Sequence, residues 1–283
     1  MVIHEALNII QRPYFTLKLN TNNVAYDVRM NDIPLANDSF DVETELPLNL
    51  CTISGQNEIS VKIKDDLLEN SVIEIGVFVR EIDAHYTSGI QISNIKAGVF
   101  KEALVTKEIG AYLGSDLTAE LEYLEPENEK EHGHYLITRG INLKTPFPRW
   151  LWQDANQLPA NESTFNALLA LYGEFHGLLK SRNVKAIEES MAYSLRDYMA
   201  AYFVPDYQQA IDDFYVSKIV VDPEMKLMGV DTSKIILQVF ANGRMARFLG
   251  EDGESPIMFD RSGAQTHIDF MYCHTNAGWV QIR

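Results

Sequence analysis

Cysteine is nearly missing from this chain of 283 residues: Cys51 and Cys273 are the only two. They fall in different halves, so no disulfide framework is indicated, and two buried thiols in a reducing compartment is the simpler reading. Long apolar runs are missing as well, and none approaches the roughly 18 residues that a membrane span needs. The first ten residues lack a basic stretch followed by a long apolar one, so they do not read as a secretory signal. A cytoplasmic location is therefore expected, with no membrane partner. Basic charge is scarce: 24 Lys and Arg stand against 40 Asp and Glu, a formal net charge of −16. The first 145 residues carry 12 basic and 23 acidic side chains (net −11), the remainder 12 and 17 (net −5). Such a field repels nucleic-acid backbones and anionic lipid, and suits either solubility or a basic protein partner. The signatures of common chemistries are missing too. No glycine-rich phosphate loop, no Gly-x-Ser-x-Gly elbow and no His-Glu-x-x-His helix occurs, and no cofactor is expected.

What is present is a change of rhythm. Hydrophobic residues make up 46% and charged ones 23%, which is ordinary for a folded protein and excludes wholesale disorder. Up to residue 145 apolar residues alternate with polar ones, as in half-buried strands. Tyr14–Leu19, Tyr26–Met30, Ile33–Leu35, Phe40–Leu46, Ile59–Ile63, Val72–Val79 and Tyr135–Ile141 read as strands, with one or two more between Ile90 and Val105. Asn31-Asp32 and Gly55-Gln56-Asn57 supply turn chemistry. Short strands at this spacing predict an all-β antiparallel sandwich of Ig-like architecture over residues 1–145, without the Cys…Trp…Cys hallmark of true immunoglobulin domains. The acidic stretch 120–131 reads as a solvated loop. His132 and His134 follow it, but no third ligand stands at metal spacing, so no metal site is expected.

Residues 146–160 read as a linker. Pro146 and Pro148 impose extended backbone, and Trp150 and Trp152 either seal two domains together or stand out as an aromatic anchor. Beyond it the apolar period becomes helical. Phe165, Leu168, Leu169, Tyr172, Phe175 and Leu179 form one stripe behind a Ser163 cap. Val184, Ile187, Met191, Leu195, Tyr198, Met199 and Tyr202 form a second, ended by Pro205. Tyr207–Tyr215 forms a short third helix. Alternation then returns in Val216–Val221, Ile235–Ala241, Met245–Leu249, Pro256–Phe259, His267–His274 and Trp279–Ile282, with a two-residue turn at Asn242-Gly243 and another turn at Asn276-Ala277-Gly278.

Helices followed by an antiparallel meander make residues 161–283 an α+β unit. Three segments carry a resemblance there: Leu171-Tyr172-Gly173-Glu174-Phe175-His176 in the long helix, Asn242-Gly243-Arg244-Met245-Ala246-Arg247, and the ending Tyr272 to Gln281. In them the chain resembles the NTF2-like (SnoaL-like) cone fold over roughly residues 150–283. The resemblance implies helices packed on a curved antiparallel sheet around an inner cavity, and a homodimer formed through the outer sheet face. If that cavity exists, its candidate lining is Tyr172, His176, Tyr198, Tyr202, Tyr272 and Trp279. On a strand running from 267 to 274, His267 and Asp269 would share a face and could form a polar acid–base pair. Arg244, Arg247 and Asp260 read as hairpin surface. The function expected is a non-enzymatic protein-binding or accessory module, toxin neutralisation by an immunity protein being one concrete form. The alternative is a small-molecule binder or enzyme using the cone cavity.

Overall fold

A computed structural model describes residues 10–38, 41–100, 103–110, 120–126 and 133–282. The protein is a mixed α+β chain in which antiparallel sheet dominates, and it divides into two compact units, Met1–Pro148 and Arg149–Arg283.

The described residues of the first unit form ten strands: β1 (Pro13–Asn22), β2 (Tyr26–Met30), β3 (Ile33–Asp38), β4 (Val42–Pro47), β5 (Gly55–Lys64), β6 (Val72–Glu81), β7 (Ile90–Phe100), β8 (Ala103–Gly110), β9 (Glu120–Leu124) and β10 (His134–Leu143). They form two five-stranded antiparallel sheets, ordered β4-β1-β6-β7-β8 and β3-β2-β5-β10-β9. The alternation in sequence becomes alternation in burial. Phe15, Leu17 and Leu19 of β1 and Ile73, Ile75, Val77 and Val79 of β6 are buried on one face of the first sheet; Ile59, Val61 and Ile63 of β5 and Ile137 and Ile141 of β10 are buried in the second. Asn31 (φ 54°) and Asp32 (φ 60°) both take the left-handed conformation between Met30 and Ile33, the geometry of a two-residue I′ hairpin. The expected Gly55-Gln56-Asn57 turn is instead the start of β5. Asn57 holds that start in place: its side chain bonds the backbone of Ile53 in both directions. Part of the expected acidic loop is also structured, since Glu120–Leu124 pairs with β10 as an edge strand. Residues 127–132, with His132, lie outside the described residues, as do Phe40 and residues 1–9.

In the second unit, Asn161, not Ser163, caps α1 (Glu162–Ser181): its side chain accepts from the Thr164 N–H at 3.1 Å. The helix ends where Arg182 turns left-handed (φ 53°). The expected second helix is two, α2 (Val184–Ser190) and α3 (Ala192–Tyr202), broken at Met191. Next comes α4 (Tyr207–Phe214), capped by Asp206. Val216–Val221, read as a strand, is helix α5. Val216 and Val220 are its buried residues and Ile219 packs beside them, a helical spacing that the β-branched composition masked.

Seven strands follow: β11 (Lys226–Leu227), β12 (Ile236–Phe240), β13 (Met245–Leu249), β14 (Met258–Arg261), β15 (Ala264–His267), β16 (Tyr272–Thr275) and β17 (Gly278–Gln281). They form two sheets, β11-β14-β15 and β12-β13-β16-β17, where one curved sheet was expected. The division arises because the expected strand 267–274 is interrupted. Phe270, Met271, Tyr272 and Cys273 are buried in succession, so alternation fails, and Ile268 is tied instead to Ile257 and Ser255. The Asn242-Gly243 hairpin closes through four residues, 241–244, with Ala241, Asn242 and Gly243 all at positive φ. Residues 150–158, read as linker, are bonded into this unit. Asn156 N–H donates to the His274 carbonyl and Leu158 N–H to the Gly243 carbonyl, both at 2.7 Å. Trp150 and Trp152 are buried, which removes the exposed-anchor reading.

Candidate functional site

The interior tyrosines proposed as cavity lining divide on inspection. Tyr172 projects from α1 into the core of the second unit. Its hydroxyl donates to the Phe270 carbonyl at 2.9 Å and accepts from the Phe248 N–H at 3.1 Å, while its ring packs against Phe248 and Tyr272. Both lone-pair and proton functions of that hydroxyl are engaged by backbone. Tyr272 is buried beside it. Tyr198 and Tyr202 stack at 4.7 Å on the half-buried side of α3, with Phe214 against Tyr198. His176 donates through Nε2 to the Met228 carbonyl at 2.9 Å, and Trp279 packs edge-on to His274. Ring contacts join Tyr172 to Tyr272 and Tyr198 to Tyr202, while His176 and Trp279 are engaged by Met228 and His274 respectively.

His267 and Asp269 are each held by a partner on another segment. His267 Nδ1 lies 2.8 Å from the Ser255 carbonyl, and Asp269 pairs with Arg247. That Arg247–Asp269 pair, with Gln238 accepting from Arg247 Nε at 2.7 Å, was hidden from the sequence because its members lie on different strands or loops 22 residues apart. Arg244 is used structurally, reaching the Gln153 carbonyl, and Asp260 accepts from the Gly263 N–H within its turn. His267 borders a shallow pocket of about 390 Å³ with Asp231, Lys234, Glu251, Asp252 and Gln265. Among the described residues no group of three or more His, Cys, Asp or Glu is placed to hold a metal, and no helix is long and apolar enough to cross a membrane.

A larger concavity, about 520 Å³, lies in the first unit on the outward face of the sheet β4-β1-β6-β7. Its size is that of a ligand site. Cross-strand register builds it. Glu45, Lys18, Gly76 and Asn94 stand in one row across the four strands, and Glu43, Asn20, Glu74 and Lys96 in the next. Lys18 lies 3.8 Å from Glu45 and 4.8 Å from the centre of the Phe78 ring, and Lys96 lies 3.1 Å from Glu74. A bulge between Val77 and Phe78 shifts the register so that Phe78 faces Gln91. Gly76 leaves room there: a Cβ would stand 2.6 Å from the Phe78 ring and 3.1 Å from Gln91 Nε2, so a larger residue would displace those side chains. At the rim Tyr86 is 62% exposed, its ring 4.5 Å from that of His85. Sequence reading passed over this site because each strand contributes only one or two outward residues, and only pairing makes them neighbours.

One thiol and two tyrosines of the second unit are shifted by burial. Cys273 is pushed from its ordinary 9.0 up to about 12 by desolvation, with Asp197 adding to the rise; burial also raises Tyr272 and Tyr172. The folded state thus favours the neutral thiol. The unfolded thiol ionises near 9, so this stabilisation is complete below pH 9 and is lost as pH climbs towards 12. Urea midpoints of the second unit are expected to fall over that window, and less steeply in Cys273→Val. In the same experiment a thiol reagent at pH 8 should find neither cysteine in the native chain and both in denaturant, since Cys51 and Cys273 are buried. Rapid labelling of native protein would contradict the packing described.

Comparison of the chain with protein-family models, with curated proteins and with solved structures gives no match.

Proposed function

We propose that this chain is a non-enzymatic binding protein, and that the groove on the outward face of the first sheet is its contact surface. The observation that carries the reading is the groove itself: a concavity of about 520 Å³ in which three carboxylates, amides, one lysine and two aromatic rings converge. Support also comes from the second unit, where the best-buried cavity candidate, Tyr172, spends its hydroxyl on backbone partners instead of presenting it to a ligand. In fold terms we read the first unit as an Ig-like sandwich and the second as a variant of the NTF2-like cone. The paired five-stranded sheets support the former. The order of helices before antiparallel strands supports the latter, with the division of its strands into two sheets as a departure.

A basic protein partner, including a neutralised toxin, is the second reading, favoured by the net charge of −16. Both readings are tested with the full chain immobilised against neutral trisaccharides and a lysine-rich peptide. Binding of either probe should be lost in the Tyr86→Ala/Glu43→Gln double variant, whose exposed positions leave the melting temperature unchanged. Binding that ignores this variant, or no binding at all, would remove the groove as the contact surface.

A further inference from the structure

We infer that the interior of the first unit holds a site for one small inorganic anion of the halide class, built from Arg139 and Ser93. β10 places Ile137, Arg139 and Ile141 on its inward face, so the arginine takes a position that the strand period gives to an apolar side chain. Its cross-strand neighbour on β5, Ile59, is fully buried. The guanidinium reaches the other sheet, where Nη1 donates to the Asn94 carbonyl of β7 at 3.0 Å. Ser93 directly precedes Asn94 and stands opposite Val77, on the buried face of that sheet. Arg139 is 1% exposed and Ser93 2%.

Two polar atoms are left over at this place. Arg139 Nη2 and Ser93 Oγ are both buried, and neither has a hydrogen-bond partner among the described residues. Such groups are rare in a native fold, and a bound ion or water is a common reason for them. Their chemistry decides between the two. Nη2 can only donate, and the serine hydroxyl is a rotor that can donate as well, so both call for an acceptor. Charge narrows the choice further. Burial alone moves the guanidinium pKa, downward, and no carboxylate contributes. A water would satisfy the donors and leave the positive charge uncompensated, whereas an anion answers both.

Size sets the class of anion. Packed interiors hold few voids larger than a water molecule, and the wide concavity of this sheet lies on its other, outward face. A carboxylate, sulfate or phosphate brings several heavy atoms and more acceptor sites than two donors satisfy. A halide is a single atom that accepts from both donors at once. The net charge of −16 does not oppose it there, because the nearest charge is the guanidinium and the site is shielded from solvent.

The test is urea unfolding of the full chain, followed by circular dichroism, in sodium chloride and in sodium gluconate at equal ionic strength, gluconate being too large for the site. A ligand bound only by the folded chain stabilises it by mass action. Each tenfold rise in chloride above the Kd of the site should therefore lower the wild-type unfolding constant tenfold. Arg139→Met should lose this dependence; it should be the more stable protein in gluconate, with a lead that shrinks as chloride is added. Ser93→Ala should respond to chloride more weakly than wild type. Crystals soaked in bromide should show an anomalous peak beside Arg139 Nη2. Equal wild-type midpoints in the two salts would overturn the inference, and so would a chloride response that Arg139→Met retains in full. Should the methionine variant fail to fold, Ser93→Ala responding like wild type together with no bromide peak at Arg139 would overturn it as well.

Discussion

Tyr172→Ala is expected to unfold the second unit under conditions where the wild-type chain is fully folded. The ring is buried and lies 5.0 Å from Phe248 and 5.7 Å from Tyr272, so truncation leaves a void in the centre of the core. Removing a buried aromatic side chain costs about 3–5 kcal/mol. The hydroxyl adds to this, because the Phe248 N–H and the Phe270 carbonyl lose their partner inside the core, and an orphaned buried group costs about 1–3 kcal/mol. Together these approach the whole stability of an ordinary domain. Tyr172→Phe separates the two terms: the void disappears, the orphaned groups remain, and only about 1–3 kcal/mol should be lost. Urea unfolding followed by near-ultraviolet circular dichroism reads both variants. If Tyr172→Ala unfolded like wild type, the side chain would be facing open space, and the cavity reading for this unit would regain its footing.

That residue also marks where sequence reading reached and where it stopped. The stripe containing Leu168, Tyr172, Phe175 and Leu179 gave α1 correctly, because one buried helical face leaves a strong period of 3.6. Alternation likewise located most strands of the first unit. Period fails where burial is two-sided. Phe270 to Cys273 are all buried, so no alternation was available to reveal that the segment from 267 to 274 is interrupted. With the interruption, the proposed sharing of one strand face by His267 and Asp269 disappears. Composition misled at Val216–Val221, where β-branched residues suggested a strand although the buried positions follow a helical spacing. The groove was illegible for a different reason. Glu45, Lys18, Gly76 and Asn94 are spread over some 75 residues of sequence and become one row only through strand order, which no local pattern encodes.

The same crossing of sheets produces the second large effect, expected from Arg139→Met. Arg139 stands on β10 between Ile137 and Ile141, on the inward face, and is only 1% exposed. Its Nη1 donates to the Asn94 carbonyl of the other sheet at 3.0 Å, and its Nη2 has no partner among the described residues. Burial draws its pKa below the ordinary guanidinium value, but an arginine remains charged at any pH at which the protein is handled. Among the described residues this guanidinium has one carbonyl bond and no carboxylate partner, and its burial carries a desolvation cost of several kcal/mol. Methionine retains a straight apolar stem of similar reach and removes the charge, so Arg139→Met should stabilise the first unit by about 1–4 kcal/mol, the range seen when buried ionic groups give way to well-packed apolar ones. For a unit of this size that is a rise of several degrees in melting temperature. Arg139→Ala removes the charge and the volume together, leaving a void, and should fall well below the methionine variant. The difference between the two isolates packing from charge. A methionine variant less stable than wild type would mean that the guanidinium is compensated, and that its bond to Asn94, directly beneath the groove, contributes more to holding β7 in place than its burial costs.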